Sequence, residues 1–107
     1  MQEFTHWIEV DLDALVYNFH FIKALLPDHL KILAVVKADA YGLGAGPVAR
    51  LLEEEGVDML GVTHLEEGIL LRREGVTAPV LLFSPLLPQQ APAVARYQLT
   101  PTLDSPA

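Results

Sequence analysis

The chain has 107 residues, 51% of them hydrophobic, and no cysteine, so it can form one small globular unit without disulfides or thiolate metal sites. Its 7 Lys and Arg against 14 Asp and Glu residues leave a formal charge of −7, which disfavours non-specific nucleic-acid binding because that requires basic patches. No apolar run approaches the ~20 residues of a membrane span, and no secretory signal is visible. We therefore expect neither a nucleic-acid partner nor a membrane partner.

The first predicted element is an amphipathic helix over residues 12–26, with Asp11 as its N-cap and Pro27 as its stop. Apolar residues recur along it at helical spacing, which predicts a single buried stripe. The stripe comprises Leu12, Leu15, Val16, Phe19, Ile22, Leu25 and Leu26.

After this helix, short apolar segments alternate with helical ones. The predicted strands cover residues 31–36, 59–63 and 80–84, with a weaker fourth at 98–102, where Pro101 disfavours a ladder position. The predicted helices cover residues 47–55, 65–74 and 89–96, the last interrupted by proline. Gly56 ends the first of these helices and Gly75 follows the second. Continuous apolar strands separated by helices indicate a parallel α/β fold whose sheet is covered on both faces.

The residue that carries most chemical information is Lys37, which ends the first apolar strand before a glycine-rich loop. An ammonium at the end of a buried strand is costly, so such a lysine is either paired or kept partly neutral. A neutral amine can condense with a carbonyl group to form a Schiff base. The alternative is a lysine whose stem packs while its head reaches water or pairs with Asp39.

The segment Val36-Lys37-Ala38-Asp39-Ala40-Tyr41-Gly42-x-Gly44 resembles the pyridoxal-phosphate attachment signature of the alanine racemases. Further segments resemble the same family in the right order, at residues 7–15 with Asn18, at 60–63 followed by 66–68 and 71–72, and at 99–102. One position departs from the family pattern, because Leu43 stands where histidine is common. That departure concerns a polar contact in the loop rather than the lysine chemistry.

The resemblance implies that parallel β/α units form the first half of a TIM-type (β/α)8 barrel. Residues 1–107 would be a truncated cofactor-binding barrel domain, because a complete barrel takes at least ~200 residues. The remaining strands and a C-terminal β domain would be absent, leaving sheet edges and apolar surface exposed. Such a chain is a fragment completed elsewhere, pairs with a second copy, or closes in a different way.

The resemblance also implies the chemistry. Pyridoxal 5'-phosphate would be the cofactor and alanine the substrate, with Lys37 as Schiff-base residue and one of two acid/base groups. By its motif position, the Tyr41 hydroxyl would contact the cofactor phosphate, and the less favoured alternative is a tyrosine that packs beside the loop with its hydroxyl in water. The family's second base and its arginine at the pyridine nitrogen lie beyond residue 107, so the chain alone is expected to be inactive.

At the level of the organism, the resemblance implies a cytoplasmic, homodimeric isomerase of bacteria that supplies D-alanine for peptidoglycan. A second hypothesis from another class is a non-catalytic module, which binds pyridoxal phosphate or merely self-associates as a half-barrel. The absence of the second base favours this alternative.

The remaining glycines, histidines and charged residues give less information about function. The glycines at 42, 44 and 46 fit no nucleotide fingerprint, because Pro47 follows and no Gly-Lys-Ser/Thr is present, so we expect them to permit positive φ and close approach of the backbone to a neighbour. The four histidines lack metal-ligand spacing, so no metal site is expected. The acidic runs 53–55 and 66–67 are predicted to be solvated helix faces. Arg72 and Arg73 are predicted to be helix C-terminal charges favoured by the helix dipole, and Phe83 a core or interface residue.

Overall fold

The computed structural model describes residues 12–37 and 44–102, which form a three-stranded parallel sheet with helices between its strands. The strands are β1 (Leu33–Val35), β2 (Met59–Val62) and β3 (Val80–Leu82), in the order β1-β2-β3. The helices are α1 (Leu12–Leu25), α2 (Ala45–Glu54), α3 (Leu65–Arg73) and α4 (Ala91–Arg96), the last preceded by a 3₁₀ turn at Pro88–Gln90. The predicted parallel α/β fold is confirmed. The predicted N-cap Asp11 lies outside the described residues.

The register of the sheet brings the ends of the strands to one edge. Val35 pairs with Gly61, and Gly61 pairs in turn with Leu81. The ladder runs slightly past the strands, because the Val36 amide donates to the Gly61 carbonyl at 2.8 Å. The segments that follow β1, β2 and β3 therefore begin side by side at the C-terminal edge.

One face of the sheet packs against the helices and forms the core. Alternate strand residues point to the same face, and those on the helix side are buried. They are Leu60 and Val62 in β2 and Val80 and Leu82 in β3, together with Val36 directly after β1. Helix α3 approaches the sheet closely at Gly68, where a Cβ would lie 3.0 Å from a Leu99 methyl and 3.1 Å from a Leu82 methyl. Glycine there lets the helix lie directly on the leucine side chains.

The other face of the sheet is partly open. Leu33 is 37% exposed, Val35 is 38% exposed and Phe83, just after β3, is 37% exposed. The prediction that both faces are covered is therefore wrong for the part of the chain that the structure describes. Successive side chains of a strand point to opposite faces of the sheet, and the described helices cover only one of these faces.

Helix α1 is less buried than its apolar spacing predicted. Phe19 is buried against the core, but Ile22 is 53% exposed and Leu25 is 71% exposed, so the predicted single buried stripe is wrong at those two positions. An apolar groove of about 430 Å³ separates α1 from β1, with Leu15, Phe19, Ile22, Leu33, Val35 and Leu52 among its lining residues. The periodicity correctly identified a helix, whereas its burial depends on which elements pack beside it.

The predicted fourth strand is reduced to a single bridge. Thr100 pairs in parallel with Leu81. The Thr100 amide donates to the Val80 carbonyl at 2.8 Å, and the Thr100 carbonyl accepts from the Leu82 amide at 2.8 Å. The next residue, Pro101, has no amide hydrogen to extend a ladder. The direction of the predicted strand is thus correct, and its length is not.

Two glycines end helices as predicted. Gly56 follows α2 with φ of 95°, and Gly75 follows α3 with φ of 93°. Both angles lie in the left-handed region that favours glycine. Among the described helices, none is long and apolar enough to cross a membrane.

Candidate functional site

Lys37 lies at the C-terminal edge of the sheet, two residues beyond the end of β1, and is half-buried. Functional residues of parallel β/α folds are found at this edge, because the strand ends and the following loops converge there. The motif residues Asp39, Tyr41 and Leu43 lie outside the described residues. Their predicted roles therefore stay predictions.

The glycine-rich loop enters α2 through Gly44, the N-cap residue, whose φ is 94°. The expectation that a loop glycine permits positive φ is confirmed at this position. Gly46, inside the first turn of α2, serves close approach instead, because the Glu74 carboxylate lies against its Cα, where a side chain would stand.

The neighbouring strand end is held by a carboxylate. One oxygen of Glu67, Oε1, accepts the amide hydrogens of Thr63 at 3.0 Å and His64 at 2.8 Å. The Thr63 carbonyl accepts the amide of Ser84 at 3.0 Å, which ties this turn to the segment after β3. The prediction that Glu67 only faces solvent is wrong. The sequence did not single out this role, because the capping-box pattern has Ser, Thr, Asp or Asn as its N-cap residue and the N-cap here is His64.

Beneath the edge, the open face of the sheet carries an aromatic ring. Phe83 lies over Gly61, where an added Cβ would be 2.6 Å from the Phe83 Cζ atom and 3.0 Å from Leu33 Cδ2. Gly61 is consequently buried although it has no side chain. The surface next to the end of β1 is therefore apolar and partly aromatic.

The opposite end of the sheet is organised by Arg72. Its guanidinium donates to four carbonyls, those of Tyr97 at 2.9 Å, Val76 at 3.0 Å, Ala78 at 2.7 Å and Gln98 at 3.0 Å. The planar, forked group joins the end of α3 to the turns before β3 and before the Thr100 bridge. Arg72 thus does more than balance a helix dipole, and these contacts were missed because all four carbonyls belong to irregular segments.

Glu53 holds the same turn from α2. Its Oε1 accepts from the Thr77 amide at 2.6 Å, from the Thr77 hydroxyl at 2.8 Å and from the Ala78 amide. Burial alone would raise the pKa of the Glu53 carboxyl, but these hydrogen bonds and the Arg72 charge outweigh it and hold the pKa below its ordinary value. The prediction of a solvated acidic face is wrong here and holds for the exposed Glu54.

The third residue of this acidic run, Glu55, links two helices. Its carboxylate lies 2.6 Å from Nε2 of His20, which joins the end of α2 to α1. Within residues 12–37 and 44–102, no group of three or more His, Cys, Asp or Glu side chains is arranged to hold a metal ion.

Comparison with known proteins identifies the family. The family model described as "Alanine racemase, N-terminal domain" matches residues 10–107. The chain is 45% identical over 96 residues to alanine racemase 1 of Caldanaerobacter subterraneus subsp. tengcongensis. This alignment covers 90% of this chain and 25% of the relative.

Solved structures of alanine racemases are also similar to this chain. The alanine racemase from Bacillus anthracis with bound L-Ala-P superposes with a TM-score of 0.87 at 41% identity, over 91% of this chain and 25% of that one. The alanine racemase from Bartonella henselae with covalently bound pyridoxal phosphate superposes with a TM-score of 0.77 at 28% identity, over 86% of this chain and 27% of that one. The chain spans about a quarter of the length of these relatives. From its matched residues and its fold, the chain belongs to the alanine racemase N-terminal domain family.

Proposed function

We propose that this chain is the N-terminal part of a pyridoxal-phosphate-dependent alanine racemase, which interconverts L- and D-alanine. Residues 1–107 would supply the first β/α units of a barrel that the rest of the protein completes. The observation that carries the proposal is Lys37, half-buried directly after the first strand, at the edge where barrel enzymes bind substrates. Covalently bound pyridoxal phosphate in the Bartonella henselae relative supports the same cofactor here.

The described residues fit such a cofactor. Lys37 provides a primary amine, the group that condenses with an aldehyde, and Phe83 with Gly61 provides an apolar surface at the same edge. Pyridoxal phosphate, when bound, supplies an electron sink for the α-carbon of the substrate. The Lys37 Nζ would hold the cofactor and, once the substrate amine has taken its place, would move the α-proton on one face of the substrate. Tyr41 would bind the phosphate through its hydroxyl.

Racemisation needs a second acid/base group on the opposite face of the substrate. We propose that the part of the protein outside these residues supplies it, in a cytoplasmic homodimer that makes D-alanine for peptidoglycan. Because the chain spans about a quarter of its relatives, we expect it to show little racemase activity alone. Substantial turnover by the purified 107-residue chain, with its mass verified, would contradict this expectation.

The cofactor role is tested by trapping. The chain is incubated with pyridoxal phosphate and reduced with borohydride, and the modified lysines are then mapped by peptide mass. We expect modification mainly at Lys37 and its loss in Lys37→Ala. Lys31→Ala is the matched control, because Lys31 is an exposed lysine at the opposite end of the same strand. Equal modification of Lys23, Lys31 and Lys37 would indicate non-specific amine chemistry and defeat the proposal.

In the sheet formed by residues 12–37 and 44–102, β1 is an edge strand with one partly exposed face, which favours a second candidate, a non-catalytic half-barrel that self-associates. Leu33 and Val35 are 37% and 38% exposed, and the groove beside α1 is apolar. Exposed apolar surface of this kind marks an interaction site. Sedimentation velocity separates the candidates when combined with trapping: a stable dimer without selective modification of Lys37 favours the second, and selective modification favours the first.

A further inference from the structure

We infer that Glu67 is a positioning residue for the lysine site, because it fixes the turn that lies beside Lys37 at the C-terminal edge of the sheet. The inference rests on the proposed function, since positioning matters only if Lys37 holds a cofactor. Glu67 itself lies in the first turn of α3.

The contacts of Glu67 reach backwards out of its own helix. A capping-box glutamate ordinarily binds the amide of the N-cap residue, which here is His64. Glu67 Oε1 also accepts the amide of Thr63, one residue earlier, at 3.0 Å. One carboxylate oxygen therefore anchors both residues of the turn, and the second of these bonds does not serve the helix.

The same turn is held from the other side by β3. The Ser84 amide donates to the Thr63 carbonyl at 3.0 Å, and the Phe83 amide donates to the Val62 carbonyl at 2.8 Å. Thr63 thus has its amide bonded to α3 and its carbonyl bonded to the segment after β3. Its backbone position is determined on both sides.

The register relates this turn to Lys37. Val35 pairs with Gly61, and Lys37 and Thr63 each lie two residues beyond that pair. Between them, the Val36 amide donates to the Gly61 carbonyl at 2.8 Å. Displacement of Thr63 would therefore disturb the strand end next to Lys37. Covalent chemistry is sensitive to such shifts, because reacting atoms must be held in a narrow geometry.

The test compares the rate at which pyridoxal phosphate and borohydride modify Lys37 with the rate for Lys31 in the same sample. In Glu67→Ala we expect the Lys37 to Lys31 ratio to fall roughly tenfold, because the turn loses its anchor. Glu67→Gln should restore most of the ratio, because its amide oxygen accepts the same two hydrogens. Glu66→Ala is the matched control on the same turn of the helix, where the side chain is exposed.

A second variant guards against unfolding of Glu67→Ala. Glu67→Asp keeps the negative charge at the start of α3 but is one methylene shorter, so it should lose the Thr63 bond and lower the ratio as well. Exchange of the Thr63 and His64 amides in each folded variant reports whether the contact has been lost.

Three outcomes would overturn the inference. The first is faster exchange of the Thr63 amide with an unchanged modification ratio, which would make Glu67 a helix cap only. The second is an equal fall in the ratio for Glu66→Ala, which would make the effect one of general charge. The third is a parent chain without preference for Lys37, which would also overturn the proposed function and is recognised before any variant is compared.

Discussion

The ring of Phe83 stands where the side chain of Gly61 would be, on the face of the sheet that also carries Leu33. A Cβ at position 61 would lie 2.6 Å from the Phe83 Cζ atom, which is closer than such atoms approach. Gly61 does not have positive φ, so close approach rather than backbone conformation requires glycine. The relationship joins β2 to the segment after β3, directly beneath the proposed site.

The first prediction concerns this contact. We expect Gly61→Ala to lower the free energy of unfolding by about 1–3 kcal/mol, because Phe83 and Leu33 must shift to admit the methyl group. Urea denaturation monitored by circular dichroism measures the change. In a Phe83→Ala background, the same substitution should cost less than about 0.5 kcal/mol, since the obstructing ring is gone. Equal costs in the two backgrounds would show that the ring is not the obstacle.

The second prediction uses two phenylalanines of α1. Phe19 is 8% exposed and Phe21 is 56% exposed, stacked on the exposed Tyr17. We expect Phe19→Ala to lower the free energy of unfolding by about 3 kcal/mol through loss of core packing. Phe21→Ala, the matched control, should cost less than about 1 kcal/mol. Similar costs measured by thermal or urea unfolding would contradict the orientation of α1.

The third prediction concerns Arg72. We expect Arg72→Ala to destabilise the chain by about 2–3 kcal/mol, because carbonyls in two turns lose a charged donor. Arg72→Lys should recover only part of this loss, since an ammonium cannot reproduce the planar fork. Arg73→Ala is the control, because Arg73 is exposed and its hydrogen bond to the Tyr97 hydroxyl is long, at 3.4 Å. Equal unfolding midpoints for the Arg72 and Arg73 variants would contradict a stabilising role for the four Arg72 hydrogen bonds.

The fourth prediction is a pH dependence caused by Glu53. Its carboxyl has a pKa below the ordinary value of 4.5 in the folded chain, so folding favours the charged form. The stabilisation is therefore complete above about pH 5.5 and is lost as the pH falls through the folded pKa. In unfolding measurements from pH 7 to pH 3, Glu53→Gln should be less stable than the parent at pH 7, and the difference should shrink with acidification. Glu54→Gln, an exposed neighbour, should show no such convergence.

Much of the local structure was predictable from the chain. The helix 12–26 was predicted to within one residue of α1, and Gly56 and Gly75 end their helices with the expected positive φ. These features depend on residues close in sequence, through periodicity and backbone preference. The apolar run before Lys37 likewise predicted that this lysine follows the first strand, where the structure places it.

Contacts between distant segments were not predictable in this way. The acidic residues 53, 55 and 67 lie in runs of glutamate that are typical of solvated helix faces, yet each accepts hydrogen bonds. Glu53 accepts from the 77–78 turn, Glu55 from His20 and Glu67 from the 63–64 turn. Whether a carboxylate meets water or an amide depends on which turn the packed helices bring beside it. The sequence alone does not show which turn will lie next to a given carboxylate.

By itself, the sequence determined the order and type of the elements, the parallel α/β fold and the lysine that follows β1, because periodicity, helix stops and a short motif are local properties. Only the tertiary structure decided that one face of β1 stays partly exposed among the described residues, that Thr100 forms a bridge instead of a strand, and that Glu67 anchors the turn beside Lys37. Each of these depends on which segments fold against one another, and burial and hydrogen-bond partners exist only once those segments have packed.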